Sequence, residues 1–413
     1  MLQNLITLKK GINKIVIEQD DLGVLNQRYR IARIPTGLSL LNLRADVDQP
    51  FIGSALPSSS GPTTHQSNVN EYSMSYRFEI GTNEDPDYYM DEINPTVSGV
   101  YGANSGTYFS SPAVAERPIN IHLKSNVIPR TWSFGGDISV ARYGVAGCGT
   151  QTAGLITGGY TGIVSVVTDE YDGTSWSASN NLNTARNEFP GCGTQTAGLC
   201  FGGNGPSAVT EEYDGTSWTA SNNLNVAVRY PAGFGIQTSA VSAGGHDGAK
   251  TDAAEEYDGT SWTVVNSLNV SRIQVTGCGR STAGLCLGGH DGGSLAVDTC
   301  EEYDGYTWSI LNSLIQARNT GTSFGTVSNA VITGGTVSSG YANTTEEYDD
   351  STWITSSPIN ESKGYSASSG SASAGLIASG WNAGYFSTSE EYSEIDISTI
   401  TITGKMVLNF TLI

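Results

Sequence analysis

One phrase returns along this chain, and it limits the possible folds more than any other feature. "EEYDGTSWTASNNLN" begins at Glu211, and near-copies begin at Asp169, Glu255 and Glu301. Tyr171/Trp176, Tyr213/Trp218, Tyr257/Trp262, Tyr303/Trp308 and Tyr348/Trp353 keep one five-residue step, and successive copies lie 42 to 46 residues apart. A period of that length marks a repeat architecture. Each unit is too small to bury its own apolar face and must stack on its neighbours.

Trp132, Trp176, Trp218, Trp262, Trp308 and Trp353 head six units. A polar stretch follows each, ending in Arg142, Arg186, Arg229, Arg272, Arg318 or Lys363. Next come a hairpin-like segment such as "GCGTQTAGLITGG" (residues 147–159), a variable loop, and "(D/E)EY" before the next Trp. Each unit therefore reads as four short strands. Asp-Gly between Tyr and Trp supplies a tight turn, because both residues tolerate the positive φ that hairpin turns need. A double glycine ends the second strand, for example Gly158 and Gly159, where a side chain would obstruct the neighbouring backbone. Arranging such sheets radially as propeller blades buries both faces of each.

A double glycine followed by a spaced Tyr and Trp resembles the kelch repeat. The resemblance covers about residues 130–393, with all elements in order five times. In the sixth copy Ser379, Gly380 and Trp381 replace the double glycine, and no Trp follows Tyr392. The unpartnered strand near 131–137 then supplies the last blade's outer edge. The expectation is an all-β fold: a six-bladed kelch-type β-propeller over 129–393, closed by an N-terminal strand. A β-sandwich-like N-terminal domain (1–128) precedes it. Runs such as "INKIVIEQ" and "YSMSYRFEIG" alternate at strand length, and "EIDISTITITGKMVLNFTLI" does so in a C-terminal tail, 394–413. That tail is expected to pair with the N-terminal domain or with a partner subunit.

Charge narrows the partners. Residues 131–413 carry 9 Lys/Arg against 27 Asp/Glu, a net of −18, whereas 1–130 carry 11 against 13. So acidic a surface repels phosphate backbones and anionic membranes, so no nucleic acid is expected as a ligand. No apolar run reaches membrane-spanning length, and the first residues lack the pattern of a signal peptide. Cys192/Cys200 and Cys278/Cys286 each lie eight residues apart across a hairpin and could face one another. Other repeats place Gly, Ala, Leu or Ile there, which favours buried free thiols over a disulfide framework.

Signals for chemistry are weak. "YDGTSW" resembles the Asp-box of sialidases but is one residue short, and an Asp-box is a structural turn. Sialidase chemistry would also need an arginine cluster and a nucleophilic Tyr with a Glu; an Arg in every unit fits bracing better. Galactose oxidase also uses kelch-type blades and binds copper through two His and two Tyr. This chain has His65, His122, His246 and His290, the last two in identical "GGHDG" contexts on adjacent blades. Turn residues at a solvated rim are the plainer reading. The Glu pairs 211/212, 255/256, 301/302 and 346/347 suit a scaffold, since adjacent strand residues point to opposite faces. No catalytic residue, metal or cofactor is expected.

Variation concentrates between the second and third strands: "YTGIVSVVT", "NGPSAVT", "HDGAKTDAA", "HDGGSLAVDTC", "TVSSGYANTT" and "WNAGYFSTS". These loops share one propeller end, so the candidate ligand-binding residues are Tyr160, Asn204, His246, Asp247, His290, Asp291, Tyr341, Trp381 and Tyr385. The wording of the repeat is similar to kelch-type repeats in virion proteins of marine tailed phages, including cyanophages. That resemblance implies a non-enzymatic tail fibre, tail-tip or capsid decoration protein, assembled in the host cytoplasm into a virion. Residues 1–128 and the tail would dock to other virion proteins, with several copies on the particle. The propeller would face a host surface glycan or protein. The alternative is a carbohydrate-active propeller enzyme of sialidase or galactose-oxidase type.

Overall fold

The computed structural model describes residues 130–292 and 296–394 with their side chains; elsewhere it describes the backbone of the strands named here. The chain divides into two units, one of Met1–Pro129 with Ile395–Ile413, the other of Arg130–Glu394. The described strands of the first unit form two sheets. One runs Ile6–Thr7, Arg28–Ile34, Arg117–Ser125, Tyr76–Gly81, Met90–Ile93. In the other, Ile400–Leu412 lies between Gly11–Glu18 and Leu40–Ala55, antiparallel to both, with Gly99–Gly102 beyond.

The second unit is a six-bladed β-propeller of six four-stranded antiparallel sheets. The first blade comprises Ala146–Thr150, Ala153–Thr157, Thr168–Tyr171 and Trp176–Ser179, from the innermost strand outward. In the sixth, Ala367–Ser371, Ala374–Ala378 and Ser389–Glu394 are joined by Arg130–Phe134 from the start of the unit, with Trp132 opposite Tyr392. The Tyr–Trp step is a hairpin: Tyr213 pairs with Trp218 and their rings lie 5.0 Å apart. Asp172 sets such a turn by accepting the Thr174 and Ser175 amides, each at 2.8 Å.

The core is a ring of seams between blades. Cys148 and Leu155 of the first blade pack against Cys200, Tyr213 and Trp218 of the second, and each later seam repeats the plan. A fully buried Leu such as Leu285 contributes about 1.5–3 kcal/mol to its seam. Polar stitches fix the angle between blades. The Tyr303 hydroxyl donates to Glu256 of the preceding blade at 2.8 Å, and Tyr171 donates to Glu391 at 2.6 Å. Trp218 and Trp262 donate through Nε1 to Thr168 and Thr210 of the preceding blade. The first acid of each Glu pair turns to the other face and is buried. Glu301 accepts the Asn269 amide at 2.7 Å and Arg272 Nη2 at 2.9 Å. The acid pairs are therefore scaffold, one member for each face.

The cysteines follow the favoured reading of buried free thiols, and the arginine series departs from its expected pattern at one place. Cys192 lies opposite Leu199 and Cys200 opposite Gly191, so the two thiols leave opposite faces of one sheet and enter different seams. Cys278 and Cys286 are separated in the same way, and all six cysteines are free and buried. Arg229 also leaves the arginine series. Val228 fills the slot that Arg142, Arg186, Arg272 and Arg318 occupy, and Arg229 turns to Glu188 at 3.9 Å. Glu255 of that blade, 3% exposed, is held by the Asn225 amide and Nδ2 and the Val226 amide, each at 2.8 Å, with no cation among the described residues.

Candidate ligand site at the channel mouth

The innermost strands surround a central channel. Strand direction brings two kinds of segment to one mouth of it: the loops between second and third strands, and the crossovers that lead into each innermost strand. Tyr160, Asn204, His246, His290 and Trp381 occupy one blade position there, the first residue beyond the glycines; Thr336 is its counterpart in the fifth blade. Each joins the backbone of the crossover residue beside it: Tyr143 with Tyr160, Arg229 with His246, Ile273 with His290, Asn319 with Thr336, Gly364 with Trp381. The Asn204 amide donates to the Asn187 carbonyl. Five of the nine expected residues thus form one ring.

The other four lie outside that ring. Asp247 and Asp291 are exposed beyond the two histidines. Tyr341 sits in a two-strand ribbon, and Tyr385 bridges back to Trp381 within its loop. His246 and His290 each bond within their own loop. His246 Nδ1 accepts the Gly248 amide and His290 Nδ1 the Gly292 amide, so each ring caps its own turn. Among the described residues no group of three or more His, Cys, Asp or Glu is placed to hold a metal ion. His65 and the side chain of His122 lie outside the described residues.

Aromatic residues gather where the sixth blade meets the first. Tyr143 is at the centre, with ring centroids 5.6 Å from Tyr160, 5.4 Å from Tyr365, 5.5 Å from Trp381 and 5.9 Å from Tyr385. Trp381 and Tyr385 are 5.0 Å apart, and Tyr385 is 39% exposed. Such rings, partly buried and partly open, offer flat apolar faces with hydroxyls at their edges.

Inside this patch lies a second ring that sequence reasoning missed. Gly144, Glu188, Tyr230, Gln274, Thr320 and Tyr365 each stand two residues beyond the bracing position, and all have left-handed backbones, with φ between 52° and 66°. Their backbones run head to tail around the lip: the Tyr230 amide donates to the Glu188 carbonyl, Glu188 to Gly144, Gly144 to Tyr365, Tyr365 to Thr320 and Thr320 to Gln274. These six residues line a cavity of about 120 Å³.

The lip is polar and linked. The Tyr230 hydroxyl donates to Glu188, and the Arg229 guanidinium lies 5.4 Å from the Tyr230 ring centre. Gln274 Nε2 reaches across to the Tyr365 hydroxyl at 3.1 Å. Burial pushes the Glu188 carboxyl above its ordinary range, opposed by the Tyr230 bond and by Arg229. Burial also raises the Tyr230 and Tyr365 phenols, and the Tyr365 hydroxyl accepts from Gln274. The sequence signal was residue variation inside otherwise repeated crossovers: Gly, Glu, Tyr, Gln, Thr and Tyr at one position.

No protein-family model matches the chain, and no curated protein matches it. Among solved structures, one titled "Structure of YjhT" is similar with a TM-score of 0.54 at 13% identity, covering 65% of this chain and 99% of that one. At that identity the likeness establishes the fold alone. The chain is, on these findings, a six-bladed β-propeller joined to a second β-rich unit.

Proposed function

We propose that this protein is a non-enzymatic virion appendage, a tail fibre, tail-tip or capsid decoration protein, whose propeller holds a host surface glycan. The carrying observation is the partly exposed aromatic patch of Tyr143, Tyr160, Tyr365, Trp381 and Tyr385 at the variable-loop end. Ring faces bury the apolar face of a pyranose while hydroxyls and amides at the edge meet its oxygens. Within this reading the blades are of kelch type, and Arg130–Phe134 latches the ring. The unit of Met1–Pro129 with Ile395–Ile413 is a sandwich-like anchor for other virion proteins and for further copies of the chain. A glycan array tests the ligand class: wild type retains at least one glycan, and Trp381→Ala or Tyr385→Ala loses it while melting normally. Silence of the wild type on such an array overturns the reading. Electron microscopy of particles labelled against residues 1–129 tests the anchor.

A second reading, a carbohydrate-active enzyme, draws on the Glu188–Tyr230 pair beside Arg229. A carboxylate bonded to a phenol is one way to activate a tyrosine nucleophile. The raised phenol and a single neighbouring arginine make it the weaker reading. Release of any product from a retained glycan would favour it.

A further inference from the structure

We infer that the channel mouth is a pocket for the uncharged terminal residue of the glycan, with Glu188 as the group that rejects acidic termini. This rests on the glycan-binding reading above and adds a second subsite with its own selectivity. The first argument is strain. Five of the six lip positions hold Glu, Tyr, Gln, Thr and Tyr in a left-handed backbone that glycine adopts freely, as Gly144 does at the sixth. Ring closure alone would be served better by glycine throughout. The side chains are therefore present for what they reach, and all line one cavity.

Size and chemistry then restrict the ligand. A cavity of about 120 Å³ is smaller than the roughly 300–1,000 Å³ that encloses a drug-sized molecule, so it takes one hydroxyl-bearing edge of a sugar. Carboxylate, amide and hydroxyl groups match the alternating donors and acceptors of neutral sugar hydroxyls. A second carboxylate would meet Glu188, whose one cation, Arg229, sits at 3.9 Å and is 36% exposed. The unit from 130 to 394 adds an unfavourable field, with 9 Lys/Arg against 26 Asp/Glu. Tyr365 joins the two subsites, since it lines the cavity and lies 5.4 Å from Tyr143 in the patch. The terminal residue enters the mouth and the following residues lie across the aromatic patch.

The test pairs each array glycan in its neutral form with the same glycan oxidised at C6 of the terminal residue to a uronic acid. Wild type should prefer the neutral form by about tenfold or more. Glu188→Gln, nearly isosteric, should remove most of that preference, and Gln274→Ala should weaken the neutral form about fivefold. Equal binding of both forms by wild type overturns the inference, even if a variant fails to fold. So does wild-type behaviour of Glu188→Gln and Gln274→Ala when Trp381→Ala abolishes binding; the patch alone is then the site. If wild type retains no glycan, the glycan reading falls and this inference with it.

Discussion

Arg272→Val asks what the buried arginine contributes, because the protein contains its own control. Arg272 is wholly buried; Nη1 donates to the Gly288 and Thr299 carbonyls at 2.6 and 2.8 Å, and Nη2 to Glu301 at 2.9 Å. Breaking a buried ion pair from one side costs about 3–5 kcal/mol, because the other charge is left uncompensated. The third blade argues for the lower end of that range. There Val228 stands in the arginine slot, and Glu255 is held by three N–H donors alone. Glu301 keeps the same three, the Asn269 amide and Nδ2 and the Val270 amide, at 2.7, 2.9 and 3.3 Å. The expected loss is therefore about 3 kcal/mol, or roughly 6–12 °C in Tm. Urea unfolding followed by tryptophan fluorescence isolates the relevant unit, since all seven tryptophans lie between 130 and 394. Adding Glu301→Gln removes the stranded charge and should restore about 1–2 kcal/mol. A loss below about 1 kcal/mol, or strict additivity in the double variant, would refute the pairing argument.

Three further outcomes follow from equivalent positions that differ. Cys300 stands where four of the other five blades place the Thr or Ser that receives a tryptophan Nε1, and Trp353 Nε1 is buried without a partner among the described residues. Cys300→Thr should therefore stabilise the propeller by about 1 kcal/mol in urea melts, and a loss of stability would refute the stitch. Burial and the Glu170 and Glu212 carboxylates push Tyr213 and Tyr257 up from 10.0 to about 12. The folded state holds these protons more tightly, so the contribution is complete below pH 10 and fades as pH climbs towards 12. The urea midpoint should fall across that window, and Tyr213→Phe with Tyr257→Phe should flatten the fall. Gln274→Gly relieves a left-handed side chain worth about 1–2 kcal/mol against a glycine entropy cost of about 0.5–1 kcal/mol. Its Tm should rise slightly while glycan affinity drops; a fall in both would show that Gln274 is structural.

The blades were legible because their signals are local. A Tyr–Trp hairpin, an Asp-Gly turn and a double glycine each state a backbone requirement within a few residues, and five copies in order leave little choice of architecture. The loop ring of Tyr160, His246, His290 and Trp381 was legible for the same reason, since each directly follows the double glycine or, for Trp381, its Ser-Gly replacement. Register was less so. Arg229 looks like one more member of the basic series, and only the pairing of strands reveals that Val228 took the slot. The inner lip left the faintest trace, for a physical reason. A left-handed backbone is announced by glycine, and five of the six lip positions lack it. What holds them there is non-local, a run of five amides, each bonded to the lip carbonyl of the preceding blade. Such a run offsets the strain only when the donor blades have their preceding neighbours in place. The side chains at the mouth are therefore positioned by closure of the ring itself: an open chain of the same blades would keep its Tyr–Trp hairpins and lose the pocket.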